Sequence, residues 1–224
     1  MIPHAEDDPA RAAFVCQMEQ VLDVYARPYD PARPVVCLDE ARRQLISEKR
    51  RPFIDRKGVR HVDYEYKREG VATLYMVCEP LGGYREVLVR NSQDRFNWAR
   101  VVAYLVEKVY PGAEQLTLVQ DNLSAHTAKA LYEVFDPERA RRILRKLEIV
   151  STPVHGSWLN IAELELSVLV RQGLSDRVPG MAALTEQVNA WQAVRNRSQK
   201  GVDWQFTTDD ARVKLKRLYP SIIT

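Results

Sequence analysis

The feature of this sequence that most constrains its fold is a short apolar run that stops abruptly at an acid. Residues 115–121 read QLTLVQD, and turn-forming residues follow at once. An amphipathic stretch at 94–110 precedes this run, and helical patterns at about 127–135 and 137–147 follow it before another β-rich run, LEIVSTP. Strands that alternate with helices in this way pair in parallel through helical crossovers. The second half of the chain is therefore predicted to be α/β with parallel strands.

The first half of the chain predicts antiparallel strands instead. The run PVVCLDE at 34–40 is short and apolar and ends in acids. Three β-rich runs follow at 61–68, 71–79 and 84–90, with Gly70 separating the first two of them and the turn LGGY preceding the third. This pattern is typical of a meander of hairpins. We therefore predict an α/β fold with one mixed sheet, an antiparallel meander followed by parallel strands, flanked by helices.

Length and composition exclude several classes of protein. A chain of 224 residues with 46% hydrophobic content suits one globular unit with a single sizeable core. No apolar run approaches the roughly 20 residues of a membrane helix, and the start MIPHAEDDPA lacks the regions of a signal peptide. Cys16, Cys37 and Cys78 are widely spaced and form no CxxC pair, which indicates reduced packing residues. These observations predict a cytoplasmic protein.

Basic charge is concentrated in three segments, although the net charge is only +3. Residues 42–60 contain eight Lys and Arg against two acids, residues 138–148 contain five basic side chains, and a third cluster lies at 212–217. Such clusters suit a polyanion with a phosphate backbone. The alternative is a set of solvated faces balanced by nearby acids. The candidate nucleic-acid contacts are Arg50, Arg51, Lys57, Arg141, Arg142 and Arg145.

Two acids are placed to meet at one edge of the predicted sheet. Asp39 ends the first apolar strand, and Asp121 ends the strand at 115–121, each before a loop that admits solvent. If these strands are neighbours, the carboxylates approach each other, and a divalent cation turns their repulsion into attraction. Oxygen ligands of this kind suit Mg²⁺ or Mn²⁺. The alternative for Asp121 is an Asx turn or a helix cap.

A third acid follows the last of the predicted parallel strands. The segment PVHGSWLNIAELELSVLVRQ predicts a helix with Asn160 and Glu163 on one face. Glu165 points nearly the opposite way, so we expect Glu163, in the first turn, to be the glutamate that reaches the cleft. The alternative is a capping pair in which Asn160 and Glu163 only stabilise the start of the helix.

Three motifs, CLDE, LVQDNLSAH and HGSWLNIAELELSVL, occur in this order. With its flanking segments, the chain resembles the DDE transposases of bacterial insertion sequences in the mariner superfamily over residues 34–220. The resemblance implies an RNase H-like catalytic core in which Asp39, Asp121 and Glu163 form the catalytic and metal-binding triad, holding a pair of Mg²⁺ or Mn²⁺ ions. Asn122, His126, His155, Trp158 and Asn160 fall on motif positions without being expected to bind metal. Of these, His126 is expected to order the loop after the strand, and Trp158 to pack the start of the helix.

The resemblance also implies an activity and partners. The activity is metal-dependent cleavage of DNA strands at transposon ends, followed by strand transfer into target DNA at TA sites. The partners are double-stranded DNA with terminal inverted repeats and a second copy of the chain, associated with the nucleoid in the cytoplasm. Two alternatives remain open: a catalytically silent DNA-binding remnant, and another RNase H-like nuclease that acts on RNA–DNA hybrids or Holliday junctions.

The resemblance further implies a division of the chain. Residues 1–33 are expected to be a helical segment, the remnant of a linker to a missing helix-turn-helix module. Residues 34–180 are expected to form the RNase H-like catalytic domain, and residues 181–224 a C-terminal helical extension packed on it.

Overall fold

The computed structural model describes residues 8–50, 53–61, 64–124, 126–174, 176–198 and 200–220. The strands in this part of the chain are β1 Val35–Glu48, β2 Phe53–Ile54, β3 Arg60–His61, β4 Tyr66–Glu79, β5 Tyr84–Arg90, β6 Leu116–Gln120 and β7 Leu147–Ser151. Five of them form a sheet in the order β5-β4-β1-β6-β7, and β2 pairs with β3 in a small separate sheet.

The strand pairing changes from antiparallel to parallel at β1, in the centre of the sheet. β4 pairs antiparallel with both β1 and β5, whereas β6 pairs parallel with both β1 and β7. The predicted mixed sheet, with antiparallel hairpins first and parallel strands afterwards, is therefore confirmed. The boundaries of β5 coincide with the β-rich run at 84–90.

Helices cover both faces of the sheet. They are α1 Asp8–Tyr25, α2 Arg95–Tyr104, α3 Lys129–Val134, α4 Pro137–Arg145, α5 Ile161–Gly173, α6 Met181–Ser198 and α7 Thr208–Lys214. One apolar cluster joins the sheet to α1, α5 and α6, and the other joins it to α2, α3 and α4. We call these the α5 face and the α2 face of the sheet. None of the helices in the described residues is both long and apolar enough to cross a membrane.

The alternation of side chains along β1 explains its continuous apolar run. Cys37 packs into the cluster on the α5 face, whereas Val36 and Leu38 pack into the cluster on the α2 face. Successive strand residues point to opposite faces, so a strand covered on both faces must be apolar at every position. The same argument explains LTLV in β6, where all five strand residues are buried.

Two predictions of element boundaries are wrong. β1 does not end at Asp39 but continues to Glu48, and β4 runs without a break through Gly70. Gly70 has φ +112°, a conformation that glycine tolerates, and it lies opposite Leu45 where the register shifts. The predicted helical stretch at 94–110 is confirmed, as α2 continued directly by a π-helical turn, Leu105–Val109.

The cysteines are free, as expected, but only two of them are packing residues. Cys37 and Cys78 are buried opposite each other on β1 and β4. Cys16 is exposed on α1, so its prediction as a packing residue is wrong.

Candidate active site

The register between β1 and β6 brings Asp39 and Asp121 to neighbouring positions. Cys37 pairs with Val119, and the two residues are 82 positions apart in the sequence (119 − 37), as are Asp39 and Asp121 (121 − 39). Asp39 thus lies within β1 at the level where β6 ends, rather than at the end of its own strand. Neighbouring strands are about 4.8 Å apart, so the register, continued by two positions, makes these two residues backbone neighbours.

The charges of several acids act on Asp39. Burial, the largest cause, and the charges of Glu40, Asp121 and Glu163 together raise the pKa of Asp39 to about 7. The backbone N–H of Glu40, which donates to Asp39 Oδ1 at 2.9 Å, acts in the opposite direction. Carboxylates that repel one another in this way form a favourable site once a divalent cation lies among them.

Asn160 fixes the position of α5, and hence of Glu163. Its Oδ1 accepts from the backbone N–H of Ala162 at 3.1 Å and caps the helix, while its Nδ2 donates to the carbonyl of Leu38 at 2.9 Å. Leu38 immediately precedes Asp39, so one buried amide ties the start of α5 to the strand that carries this acid. Glu163 is exposed in the first turn of α5, and its charge acts on Asp39.

Glu165 has a different environment from Glu163. Its side chain is only 5% exposed, and its Oε1 lies 2.9 Å from Arg85 Nη2 and 3.0 Å from Arg195 Nη2. Arg85 lies on β5 and Arg195 on α6, so Glu165 links three elements inside the α5 face. This glutamate holds the core together and is not available to the carboxylates beside Asp39.

Glu40 and His126 contact each other beside the carboxylates, a contact that the sequence did not predict. His126 Nδ1 lies 2.7 Å from Asp121 Oδ1, and His126 Nε2 lies 3.1 Å from Glu40 Oε1. The side chains of Glu40 and His126 are 1% and 2% exposed, whereas that of Asp121 is 28% exposed. Neither contact has the alignment of a hydrogen bond, so we regard both as attractions between charges.

The charge of His126 follows from these contacts. Burial acts to lower the pKa of His126, but Asp121 and Glu40 outweigh burial and raise it to about 9. The ligand atoms of Glu40, Asp121 and His126 lie within 4.8 Å of one another, a spacing that could hold a metal ion. A signal for Glu40 existed in the sequence, because period-2 alternation after Val36 and Leu38 predicts an acid on an apolar face, where it needs a partner.

The other motif residues have distinct environments. Asn122 and His155 are exposed in the loops after β6 and β7, and His155 has φ +65°, in the left-handed region. Trp158 precedes α5 and packs edge-on against Phe206, with ring centroids 6.2 Å apart. His126 closes the loop after β6, and its backbone carbonyl accepts from Gln120 Nε2 at 3.0 Å.

The candidate nucleic-acid contacts occupy two separate places. Arg50 is exposed two residues beyond the end of β1, which continues past Asp39 in that direction, and Lys57 is exposed between β2 and β3. From Asp39 to Glu48 the strand spans about 30 Å. Arg51 lies outside the described residues. The remaining three are exposed on α4, which leads into the start of β7, at the end of the sheet opposite Asp121; they are Arg141, Arg142 and Arg145.

Nearby acids partly neutralise all three basic clusters, including that at 42–60, where Lys49 pairs with Glu65 at 3.4 Å. Arg142 pairs with Glu138 at 3.2 Å and Arg139 with Glu107 at 2.7 Å, both involving α4. In the C-terminal cluster, Lys214 pairs with an aspartate of the same helix at 2.7 Å. These pairs favour the interpretation of solvated, balanced faces for α4 and α7.

Comparison with known proteins identifies the family. The sequence model of a family described as DDE superfamily endonuclease matches residues 34–184, more than half of the chain. No curated protein matches the sequence significantly.

Solved structures of the Mos1 mariner transposase share the fold. The Mos1 paired-end complex with Mn has a TM-score of 0.57 at 17% identity, over 87% of this chain and 58% of that one. The Mos1 strand transfer complex has a TM-score of 0.60 at 14% identity, over 100% of this chain and 65% of that one. The chain thus spans less than two thirds of these relatives. At such identities the likeness establishes the fold, and the RNase H-like mixed sheet that the resemblance implied is confirmed.

Proposed function

This chain belongs to the DDE superfamily of endonucleases, and from that premise we propose that it cleaves DNA strands at transposon ends and transfers them into target DNA. The proposed catalytic residues are Asp39, Asp121 and Glu163. The observation that carries the proposal is that the three acids lie on elements that adjoin one another. The parallel register aligns the first two, and Asn160 ties the helix of the third to the strand of the first.

The donor set of the site fits a divalent metal. The acids around Asp39 offer hard carboxylate oxygens, which suit Mg²⁺ or Mn²⁺. Their mutual repulsion, seen in the raised pKa of Asp39, is the arrangement that a cation relieves. When bound, a pair of ions would activate the attacking oxygen and stabilise the leaving oxygen of a phosphoryl transfer.

The chain's own residues hold and orient this site. Asp39 and Asp121 lie on or directly after rigid strands, and Glu163 on the capped first turn of a helix, so their separations are fixed before DNA binds. Water, and then the freed 3′-hydroxyl of the DNA, would be the nucleophiles. No covalent bond between protein and DNA is required by this scheme.

The proposed partner is double-stranded DNA. Solved Mos1 complexes contain paired transposon ends, and we propose the same class of partner for this chain. Arg50 lies beyond the end of β1 to which the strand runs after Asp39. We therefore propose that Arg50, Arg51 and Lys57 contact the DNA backbone. The three arginines of α4 lie on the far side and fit a contact outside the cleavage site. A homodimer, the TA target and association with the nucleoid are parts of the same proposal.

The division of the chain also belongs to the proposal. We propose a catalytic domain at 34–180 with a C-terminal extension at 181–224. The supporting contact is that of α6, which packs against β5 and α5 and is anchored by Arg195.

The proposal is tested by nicking of DNA that carries the element's inverted repeats, in Mn²⁺. Asp121→Asn and Glu163→Gln should abolish nicking and leave the folded structure intact. Matched controls are Asp203→Asn and Glu186→Gln, exposed acids remote from the site in sequence, which should nick like the wild type. RNA–DNA hybrids and Holliday junctions serve as competing substrates, and a preference for either would replace the transposase proposal by another RNase H-like nuclease.

A second measurement separates catalysis from DNA binding alone. Because a bound ion stabilises the folded state, Mn²⁺ at about 100 times its Kd should add about 2.7 kcal/mol to the free energy of unfolding of the wild type. Asp121→Asn should lose this gain. A wild type that binds DNA but shows neither nicking nor stabilisation by Mn²⁺ or Mg²⁺ would be a catalytically silent remnant.

A further inference from the structure

One carboxylate oxygen of Asp121, Oδ1, is buried against His126. Asp39 follows Cys37 in the alternation of β1 and lies on the α5 face, whereas Glu40 follows Leu38 and lies on the α2 face. Asp121 directly follows the end of β6. Its Oδ1 lies 2.7 Å from His126, and Glu40 lies on the other side of that ring. The order of contact is therefore Glu40, His126, Asp121.

The imidazole of His126 has contacts at both ring nitrogens and on one face. One ring nitrogen faces Asp121 and the other faces Glu40, an arrangement that suits a ring with hydrogen on both nitrogens. The ring stacks on Trp98, with centroids 5.7 Å apart and planes 13° from parallel. Trp98 Nε1 in turn donates to Gln120 Oε1 at 2.9 Å, and Gln120 Nε2 donates to the carbonyl of His126. Both ring and backbone of His126 are thus fixed to the end of β6.

Glu40 has no evident role in stabilising the core. Both of its carboxylate oxygens are buried without an aligned hydrogen bond among the described residues. A buried ion pair can often be replaced as a whole by apolar residues with no loss of stability, so burial of the pair is weak evidence for a structural role. Its only ion-pair contact in the described residues is with His126, which contacts Asp121. The arrangement is therefore better explained by what it does to Asp121.

We propose that Glu40 and His126 are positioning residues: His126 contacts Oδ1 of Asp121, Glu40 contacts His126, and together they fix the orientation of the Asp121 carboxylate. Held at Oδ1, Asp121 presents its other oxygen towards Asp39. This inference rests on the proposed function, because it assumes that Asp121 binds the metal. Side chains that contact a metal ligand and fix its orientation contribute about 10-fold to 100-fold in metal affinity or activity. Neither residue needs to touch the metal or the DNA.

The test measures the Mn²⁺ concentration that gives half-maximal nicking in Glu40→Gln, His126→Phe and the double variant. The glutamine keeps the shape of Glu40, and the phenylalanine keeps a ring against Trp98. Each single variant should raise the half-maximal concentration by about 10-fold to 100-fold while KM for DNA stays unchanged. The double variant should have a half-maximal Mn²⁺ concentration no higher than that of the more affected single variant, because both changes break the same chain of contacts.

The matched control is Glu79→Gln. Glu79 is a buried acid at the end of β4, three positions (about 10 Å) from Met76, the residue that pairs with Asp39, and it accepts from the hydroxyl of Tyr110 at 3.1 Å. This control should keep the wild-type dependence on Mn²⁺. The melting temperature without metal is measured for every variant, because a purely structural role would lower that temperature without changing the Mn²⁺ dependence of the protein that remains folded. A folded Glu40→Gln variant provides the test should His126→Phe fail to fold.

Three results would overturn the inference while leaving the proposed function standing. They are an unchanged half-maximal Mn²⁺ concentration in Glu40→Gln, an equal shift in Glu79→Gln, and effects that multiply in the double variant. A wild type with neither Mn²⁺-dependent nicking nor Mn²⁺-dependent stabilisation overturns the proposed function, and the inference with it.

Discussion

Glu163 and Glu165 are two residues apart on α5, and we predict opposite consequences for the same substitution at each. Glu165→Gln removes the negative charge between Arg85, 2% exposed, and Arg195, 25% exposed. Arg195 can turn towards water, but Arg85 is left as a buried charge without its acid. Breaking a buried ion pair in this way costs about 3 to 5 kcal/mol. For a chain of this size, 1 kcal/mol corresponds to about 2 to 4 °C, so Tm should fall by about 6 to 20 °C.

Glu163→Gln should lower Tm very little. The side chain is exposed in the first turn of α5, where the loss of a negative charge near the helix dipole costs about 0.3 to 1 kcal/mol. Its nicking activity should be lost, whereas Glu165→Gln protein that is still folded should retain activity. Thermal unfolding followed by circular dichroism and nicking in Mn²⁺ measure the two effects on the same samples.

An apolar replacement isolates the contribution of charge in this pair. The double variant Arg85→Met, Glu165→Leu removes both buried charges while keeping side-chain volume, and it should be more stable than Glu165→Gln. Two results would refute the reasoning: a Tm of Glu165→Gln equal to that of the wild type, or a larger fall in Tm for Glu163→Gln than for Glu165→Gln.

Three further predictions concern stability and DNA binding. Asn160→Ala removes both the cap of α5 and the donor to the Leu38 carbonyl, and it should cost about 2 kcal/mol or more in urea unfolding. The hydrogen bonds from Arg27, together with Thr117, lower the pKa of Glu148 to about 2, so its stabilisation is present above pH 4.5 and is lost as pH falls towards 2. Because Arg27 is 44% exposed, we expect on the order of 1 kcal/mol, and the difference between wild type and Glu148→Gln should vanish by about pH 2 in acid titrations. Lys57→Ala should reduce the slope of log K against log salt for DNA binding by about 1, measured by fluorescence anisotropy, and an unchanged slope would exclude a phosphate contact.

The parallel pairing of the strands that carry or precede Asp39 and Asp121 could be predicted from the sequence because it depends only on local patterns. Both acids follow apolar runs that are buried on both faces, and helical stretches occur between the later runs, which indicates parallel strands. The register then follows from the packing of the apolar residues before each acid. The mixed sheet could be predicted for the same reason, since hairpin turns and helical crossovers leave different patterns.

Features that depend on loops and on distant contacts could not be predicted. The contact between Glu40 and His126 requires the conformation of the loop after β6, which has no periodicity. The extension of β1 beyond Asp39 was missed because that part of the strand pairs with β4 and is covered less fully than the apolar run before it. Gly70 was interpreted as a break between strands, although it lies at a shift of register inside one strand.

The adjacency of Asp39 and Glu40 also has a consequence for how this protein can evolve. The two acids face opposite sides of the sheet, and a shift of one position along β1 would exchange the sides on which they lie. A deletion or insertion of a single codon upstream in this strand would therefore exchange the two carboxylates even though every residue of the motif survived. Loss of function by such a change would be invisible to a search for intact motifs.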